Sequence, residues 1–353
     1  MSPALLEIED LKVDFATEDG IVHAVGGVSL EVSRGRMLGV VGESGSGKSV
    51  SMLTVMGLTR AENATISGAA RLEGRDLLAL PNHELRGIRG NEIAMIFQDP
   101  LSSLHPFYKV GAQLVEAIQI HQDMSKADAR RRSIELLGMV GIPDPSGRID
   151  SYPHEFSGGM RQRAMIAMAL ANDPKVLIAD EPTTALDVTV QSQILDLIAG
   201  LQRRLGMAVV LITHDLGVVA EHADEIAVMY AGKVIEQAQT DVIFDAPEHP
   251  YTWGLLNSIP RLDRPRGEPL VPIAGRPPSL ISLPSGCAFH PRCPYVLDRH
   301  RRIEPHLEQV PDQNGHLVSC LLESTTRKQL WAELKQGTLP QVARAGVELK
   351  DST

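Results

Sequence analysis

The spacing of hydrophobic and polar positions changes several times along this chain, and each spacing predicts a different element. From residue 5 to residue 41, apolar and polar residues alternate in the manner of half-buried strands. We therefore predict an antiparallel β-layer at the start of the chain. Short apolar runs farther on are expected to form buried strands at 37–41, 93–97, 176–181 and 208–213.

Helical spacing dominates the middle of the chain. Residues 110–120 and 126–139 are amphipathic at the helical period, and Ser125 precedes the second segment as an expected helix cap. Prolines and a glycine at 143–147 then interrupt the pattern. We predict a helical subdomain, about residues 100–172, inserted between two strands of a sheet. Strands and helices in this arrangement predict an α/β fold.

Residues 42–49, with the sequence Gly-Glu-Ser-Gly-Ser-Gly-Lys-Ser, match the phosphate-binding motif G-x-x-x-x-G-K-[ST]. The buried strand at 37–41 precedes the motif and a helical segment follows it, which is the context the motif requires. Its glycines let backbone N–H groups turn toward phosphates, and the helix N-terminus adds its positive end. Lys48 is expected to reach the β- and γ-phosphates, and Ser49 to ligate Mg²⁺. The alternative, an ordinary glycine turn, is disfavoured by the Lys-Ser pair at this offset.

Polar residues also stand at the ends of the other buried strands. Gln98 follows 93–97, Asp180 and Glu181 close 176–181, and His214 follows 208–213. The carboxyl ends of strands are where α/β proteins bind ligands. We expect Asp180 to hold Mg²⁺, Glu181 to polarise the attacking water, and His214 to donate to a γ-phosphate oxygen. Each residue alone is a weak signal, but together they predict nucleotide hydrolysis.

Two further features have both a functional and a structural interpretation. Ser157, Gly158 and Gly159 stand at a helix start, where a hydroxyl group and free N–H groups can bind an anion, although a plain helix cap is commoner. Phe15 lies in the first β-layer of a chain with only 4% aromatic residues. Its ring could stack on adenine, but the strand alternation by itself favours a core position.

The order of these motifs resembles that of the ATPase subunits of ABC transporters. The shared pattern comprises the phosphate loop, Gln98, the signature Phe-Ser-Gly-Gly-Met-Arg-Gln at 156–162, Asp180-Glu181, Ala185-Leu186-Asp187 and His214. The resemblance covers about residues 5 to 240. It implies a P-loop ABC-type nucleotide-binding domain with a parallel-sheet core, an antiparallel β-subdomain and a helical subdomain. Met160 replaces a commoner glutamine, but backbone groups and Ser157 carry the expected phosphate binding, so we expect function to survive.

The resemblance also implies roles for the residues. Subunits of that family pair head to tail, with each ATP between the phosphate loop of one and the Ser-Gly-Gly signature of the other. By resemblance, the ATP-binding residues are Phe15, Gly42, Ser44, Gly45, Gly47, Lys48, Ser49, Ser157, Gly158, Gly159 and Asp187. The residues implied for Mg²⁺ are Ser49, Gln98 and Asp180. Catalysis is implied for Glu181 as the general base, with His214, Gln98 and Lys48.

Residues 241–322 are similar to the C-terminal extension of ATPase subunits in oligopeptide and dipeptide importers. The similarity rests on His-Pro-Tyr-Thr-Trp at 249–253 and Cys-Ala-Phe-His-Pro-Arg-Cys-Pro at 287–294. In that subgroup, four cysteines can bind a [4Fe–4S] cluster. Here Cys287, Cys293 and Cys320 match three of them, and His300 stands at the fourth place.

The identity of a metal at these four residues stays open at this point. Imidazole can replace thiolate on iron, and three cysteines with one histidine also suit zinc. A metal-free extension with ordinary thiols is the third alternative. For residues 323–353 we expect a short helix near 328–335 followed by a frayed polar tail.

Composition narrows the function classes. The net charge of −10 argues against a general nucleic-acid-binding protein. No apolar run approaches the roughly 18 residues that a membrane span needs, and the N-terminal sequence lacks the pattern of a secretory signal. These observations predict a protein that stays in the cytosol, and the resemblance to importer ATPase subunits implies a peripheral position at the cytoplasmic face of the inner membrane.

The resemblance thus implies a subunit that hydrolyses ATP to power the import of di- or oligopeptides. Its expected partners are a second, homologous ATPase subunit, two transmembrane permeases and, through the complex, an extracytoplasmic peptide-binding protein. The alternatives are a soluble ABC ATPase of DNA repair or translation, an importer ATPase for another solute such as a nickel complex, and a regulatory, cluster-sensing subunit. A single copy of each motif and the acidic charge disfavour the first alternative.

Overall fold

Two sheets and a set of flanking helices make up the protein in a computed structural model, which describes residues 4–98, 104–184, 187–259 and 272–347. The strands are β1 Ala4–Thr17, β2 Gly20–Ser33, β3 Met37–Val41, β4 Ala64–Leu72, β5 Arg75–Asp76, β6 Ile93–Ile96, β7 Val176–Asp180, β8 Ala208–Thr213, β9 Glu225–Tyr230, β10 Lys233–Gln239, β11 Glu308–Gln309 and β12 Leu317–Val318. The α-helices are α1 Lys48–Val55, α2 Asn82–Ile88, α3 Val110–Gln119, α4 Lys126–Met139, α5 Pro145–Arg148, α6 Gly158–Ala169, α7 Val188–Leu205, α8 Leu216–Ala220, α9 Thr240–Asp245, α10 Pro250–Asn257, α11 Ser324–Lys335 and α12 Pro340–Gly346.

The larger sheet has the strand order β11-β12-β10-β9-β3-β8-β7-β6. Its parallel part runs from β6 through β7, β8 and β3 to β9, with Val41 beside Thr213 and Asp180 beside Ile212. Every residue of β3, β6, β7 and β8 is buried, as expected for parallel strands covered on both faces. Because parallel strands end at the same edge, the loops that follow these strands converge there. The predicted α/β fold with a parallel core is confirmed.

The smaller sheet is antiparallel, with the order β2-β1-β4-β5. It confirms the β-layer predicted from the alternation at the start of the chain. Leu11, Val13 and Val28 of this layer are fully buried in a core that also contains Val40 and Val210 of the larger sheet. The alternation therefore places one face of the small sheet against the central sheet. Phe15 is half-buried at the edge of this core.

The predicted helical subdomain consists of α3, α4, α5 and α6, among the described residues. The Ser125 hydroxyl accepts a hydrogen bond from the Asp128 N–H at 3.1 Å, so the predicted cap of α4 is confirmed. Leu114, Leu136 and Ile166 come from three different helices and are fully buried in one shared core. Residues 99–103, at the predicted start of the subdomain, lie outside the described residues.

The C-terminal extension is joined to the ATPase core more closely than the sequence suggested. Strand β12 pairs with β10, with Val318 opposite Glu236, so the extension continues the central sheet. Trp253, Phe289 and Tyr295 are buried in the same core as the helical subdomain. These aromatic side chains remove large apolar areas from water, which explains why a loop-rich segment packs so firmly.

Buried polar contacts also hold the extension. His316 Nε2 lies 2.9 Å from Glu236 Oε1, and both side chains are buried. Arg327 Nε donates to Glu248 Oε2 at 2.5 Å in a second buried pair. Removing one partner from such a pair costs about 3–5 kcal/mol, because it leaves the other charge buried alone.

The prediction of a frayed polar tail after residue 335 is wrong for the described part of that segment. Helix α11 begins at Ser324, earlier than predicted, and α12 follows it at Pro340–Gly346. Leu330, Trp331 and Leu334 are buried against the core. The sequence interpretation missed α12 and the first turn of α11 because these segments contain few apolar residues, and their stability depends on contacts with the rest of the protein. Among the described helices, none has both the length and the apolar character required to cross a membrane.

Candidate active site

The loop between β3 and α1 forms a tight turn around the first residue of the helix. A side chain at Gly42 would bring its Cβ within 2.1 Å of the Met229 carbonyl oxygen. At Gly47, where φ is 98°, a Cβ would lie 2.5 Å from the Ala24 carbonyl oxygen. Only glycine fits these two positions, so the motif glycines shape the loop through close backbone approach.

Lys48 lies inside this loop. Its ammonium group donates to the Gly42 carbonyl at 2.7 Å and to the Glu43 carbonyl at 3.0 Å, and the Ser46 hydroxyl lies 3.4 Å away. Burial lowers the pKa of Lys48, although the carboxylates of Glu181 and Asp180 act in the opposite direction. The loop therefore holds one cation among backbone groups, as a polyanionic ligand requires.

Ser49 and Asp180 meet beside the loop. The Ser49 hydroxyl donates to Asp180 Oδ1 at 2.9 Å. Burial raises the pKa of Asp180, while the bond from Ser49 and the charge of Lys48 oppose that shift. A hydroxyl and a carboxylate oxygen are the hard ligands that Mg²⁺ prefers, so this pair fits the expected metal ion.

Glu181 is the centre of a second group of side chains. Its Oε2 accepts from Gln98 Nε2 at 2.8 Å and from the Thr184 hydroxyl at 3.0 Å, and its Oε1 lies 3.2 Å from His214 Nδ1. Glu181 has φ 45°, in the left-handed region that a non-glycine residue adopts only at an energetic cost. The structure thus brings together the polar residues from three strand ends. Gln98 lies against Glu181 rather than against the Ser49–Asp180 pair.

The ionisation of Glu181 follows from its neighbours. Partial burial alone would raise the pKa of this carboxyl, but hydrogen bonds from His214 and Thr184 and the charges of His214 and Lys48 outweigh it. The resulting pKa lies below the ordinary value for glutamate. Glu181 is therefore ionised near neutral pH, and the carboxylate is the form that can accept a proton from water.

ATP binding is expected to weaken as the pH rises, and this decline should occur at a pH below 10.5, which is the ordinary pKa of lysine. Lys48 attracts phosphate only as an ammonium, and burial shifts its deprotonation in the nucleotide-free protein to lower pH. The affinity for ATP should be highest at pH values well below this lowered pKa, where Lys48 is fully protonated. It should fall as the pH rises through the pKa. The ATP dissociation constant, measured from about pH 7 to about pH 10, checks this expectation. A Lys48→Ala variant should lack the decline, and an equal decline in that variant would contradict the assignment.

The signature residues lie apart from the phosphate loop of the same chain. Ser157 and Gly158 are exposed, and the Ser157 hydroxyl accepts from the Met160 N–H at 3.3 Å as the cap of α6. Within the described part of the chain, no hydrogen bond or ion pair links 157–159 to 42–49. Asp187 caps α7 by accepting from the Val190 N–H at 3.0 Å. Ala185 and Leu186, which belong to the same predicted motif, lie outside the described residues.

The predicted metal centre of the extension receives no support. Among the described residues, no group of three or more His, Cys, Asp or Glu side chains is arranged to hold a metal ion. His300 Nδ1 instead accepts from the Leu297 N–H at 2.9 Å. Burial raises the pKa of Cys287 and Cys293, and that of Cys320 to about 11. All three cysteines pack against the hydrophobic core.

Sequence reasoning missed two residues that contact this site. Thr184 follows Glu181 by three positions, so the motif region contained it, but nothing marked its hydroxyl. Tyr251 lies in the extension, and its hydroxyl accepts from the N–H of Glu43 in the phosphate loop at 2.9 Å. No local spacing could have paired residues so far apart along the chain.

Known proteins share both parts of this chain. The family model "ABC transporter" matches residues 25–184, and "Oligopeptide/dipeptide transporter, C-terminal region" matches 235–299. The oligopeptide transport ATP-binding protein OppD of Escherichia coli (strain K12) is 50% identical over 317 residues, which are 90% of this chain and 93% of OppD. This chain belongs to the same family of ABC ATP-binding proteins.

Other similarities agree with this membership. The dipeptide transport ATP-binding protein DppD of Escherichia coli (strain K12) is also 50% identical, over 90% of this chain and 96% of its own length. A dimeric structure of the ATP-binding cassette MJ0796 in a post-hydrolysis state, bound to ADP and Pi, superposes with a TM-score of 0.60. It is 27% identical and covers 67% of this chain and 98% of its own. The ABC ATPase described here therefore has the fold of a known nucleotide-hydrolysing cassette.

Proposed function

We propose that this ABC ATPase hydrolyses ATP to drive the import of di- or oligopeptides across the cytoplasmic membrane. The observation that carries the proposal is Glu181 held between Gln98 and His214, next to the Lys48 loop, in a chain 50% identical to peptide-transport subunits. Residues 1–240 would form the ATPase domain and 241–322 the peptide-transporter extension, with 323–353 completing it.

The site residues would divide the chemistry as follows. Lys48 and the loop N–H groups bind the β- and γ-phosphates, and Phe15 contacts the adenine. Ser49 and Asp180 would hold Mg²⁺, which when bound supplies positive charge to the phosphate oxygens. Glu181 accepts the proton of the attacking water, and His214 orients the γ-phosphate.

A second ATPase subunit would complete each site. Ser157 and Gly158 are exposed and uninvolved in their own phosphate loop, which supports their use by a partner subunit. A Cβ at Gly159 would lie 3.1 Å from Val190, which is in the first turn of the helix that Asp187 caps. The N-terminus of α6 would then direct its positive end at a partner's γ-phosphate. ATP bound between two subunits would draw them together, and hydrolysis would release them.

A permease helix would dock beside Gln98. An apolar groove next to this residue is lined by Leu58, Phe97 and Ile120, which are 46%, 40% and 67% exposed. Methionines 56, 95, 165 and 168 also line it. Adaptable methionines and exposed aromatic side chains suit an amphipathic helix of a partner. Because Gln98 contacts Glu181, movement of the docked helix would be coupled to the hydrolytic carboxylate.

An Ile120→Glu variant is expected to abolish peptide uptake while ATP binding stays within about twofold of wild type. The change buries a charge at the proposed permease contact, which costs several kcal/mol unless the charge is paired. Uptake of a labelled peptide by intact cells and co-purification with the permeases check it. Ile303→Glu is the matched control, since Ile303 is 52% exposed but lies outside the groove. Normal uptake with Ile120→Glu would refute the docking site.

Deletion of the gene tests the proposed function as a whole. Cells without this chain should lose uptake of labelled di- and oligopeptides, and the wild-type chain should restore it. If the purified chain hydrolysed ATP but the deletion strain took up peptides as fast as wild-type cells, peptides would be the wrong cargo.

A further inference from the structure

We propose that Arg292 and Tyr251 of the C-terminal extension are positioning residues for the phosphate loop, so that the extension sets the affinity for ATP. The inference deepens the proposed function, since it rests on ATP binding at this loop. It does not depend on which solute is transported.

The contact is a two-point ion pair between the extension and the loop. Arg292 Nη1 donates to Glu43 Oε2 at 2.6 Å, and Nη2 donates to Glu43 Oε1 at 3.0 Å. Only 4% of the Arg292 side chain is exposed. Parallel hydrogen bonds of this kind fix the direction of both side chains and are stronger than neutral ones. Glu43 is thereby held in one orientation.

Groups of the extension and of the central sheet hold Arg292 in place. Its Nε donates to the Ala274 carbonyl at 2.9 Å, and Nη1 lies 3.5 Å from the Tyr230 hydroxyl. The guanidinium also lies over the rings of Tyr230 and Phe289, at 5.8 Å and 6.0 Å from their centroids. Tyr230 is the last residue of β9, which pairs with β3 ahead of the phosphate loop. Arg292 is therefore fixed to both the extension and the central sheet.

Tyr251 fixes the backbone of the same loop residue. Its hydroxyl accepts the Glu43 N–H at 2.9 Å, and its ring packs on Tyr230 with centroids 4.8 Å apart. The Glu43 carbonyl, in turn, accepts from Lys48 at 3.0 Å. The side chain, N–H and carbonyl of Glu43 are each engaged, so this residue links the extension to the phosphate-binding lysine.

The charges of Arg292 and Glu43 determine how their ion pair affects ATP binding. Glu43 places a carboxylate in a loop that must receive a polyanion, and the Arg292 guanidinium neutralises it. Without Arg292, the free carboxylate would repel the phosphates and compete for Lys48. The loop would also have to be ordered when ATP binds, which lowers affinity.

The experiment is a double-mutant cycle on the full chain, with the ATP–Mg²⁺ dissociation constant measured by direct binding. Arg292→Gln should raise this constant about tenfold, a coupling in the range found for residues in one ion-pair network. Glu43→Gln should change it by less than about threefold, and the double variant should recover to within about threefold of wild type. In hydrolysis assays, Arg292→Gln should raise KM with kcat within about twofold.

The matched control is Arg327→Gln. Arg327 is also a buried arginine of the C-terminal part, but it pairs with Glu248, and among the described residues it has no hydrogen bond or ion pair with the phosphate loop. Its variant should bind ATP as wild type does. Equal weakening in Arg327→Gln, or no recovery in the double variant, would mean that general packing is responsible and would overturn the inference. Unchanged affinity in Arg292→Gln would also overturn it.

A milder variant covers the case in which Arg292→Gln does not fold. Tyr251→Phe keeps the ring and removes only the hydroxyl that accepts the Glu43 N–H. It should raise the dissociation constant about threefold, in line with one neutral hydrogen bond, and an unchanged constant would count against the inference. Because binding is measured directly on the isolated chain, failure of the peptide-import proposal would leave this result intact.

Discussion

Replacing Glu181 with glutamine is expected to lower kcat for ATP hydrolysis by about 10²- to 10⁴-fold, the range of a general base. Glutamine keeps the shape and can still contact Gln98 and Thr184, but its amide cannot take a proton from water. ATP binding should stay within about threefold of wild type, because the Lys48 loop is unchanged. Single-turnover hydrolysis and direct ATP binding, measured on the same preparation, separate the two effects.

Glu225→Gln is the control for this change. Glu225 is also a carboxylate on the central sheet, where its Oε1 accepts from Gln237 Nε2 at 2.8 Å, but it lies at the opposite end of its strand from the site. Its variant should hydrolyse ATP within about twofold of wild type. If Glu181→Gln kept more than about a tenth of the wild-type rate, another residue would have to be the base.

Replacing Lys48 with alanine is expected to weaken ATP binding by about 10- to 150-fold. Charge-assisted hydrogen bonds contribute roughly 1.5–3 kcal/mol, and each 1.4 kcal/mol is about a tenfold change in affinity. The ammonium is buried in the loop, so no other described lysine side chain is placed to replace it. Equilibrium binding of ATP with Mg²⁺ gives the ratio directly.

Lys175→Ala is the matched control for Lys48. Lys175 has two carboxylate partners, Glu73 at 2.5 Å and Glu92 at 2.9 Å, at the amino end of β7. Because the phosphate loop lies at the carboxyl end of the sheet, the control should bind ATP normally. Wild-type affinity in Lys48→Ala would show that the loop backbone alone binds the phosphates.

The local chemistry of the nucleotide site could be predicted because each motif sits at the end of a short apolar strand. Parallel strands end at one edge, so Gln98, Glu181 and His214 had to come near one another once the strands paired. The extents of α4 and β8 were also predictable, since an N-cap serine and a bounded apolar run mark them. Helices α8 and α9, and strands β9 and β10, were not predicted and were found only in the structure, although Asp215 caps α8 and an apolar run forms most of β9.

The environment of the cysteines, in contrast, could not be predicted from the sequence. Their types and positions suggested metal ligands, but ligand geometry depends on how distant segments pack. In the structure, Cys287, Cys293 and Cys320 pack against apolar side chains, and burial raises their pKa values. Residue type alone could not distinguish a ligand from a packing thiol.

The sequence by itself determined the fold class, the ATPase family and the residues of the phosphate loop, because these depend on local period and on contiguous motifs. Only the tertiary structure decided how the extension meets the site. Arg292 and Glu43 are 249 positions apart, and their pairing requires the extension to continue the central sheet and bury its aromatic residues. Such a contact leaves no local pattern, since it arises from the sum of many packing interactions rather than from any one segment.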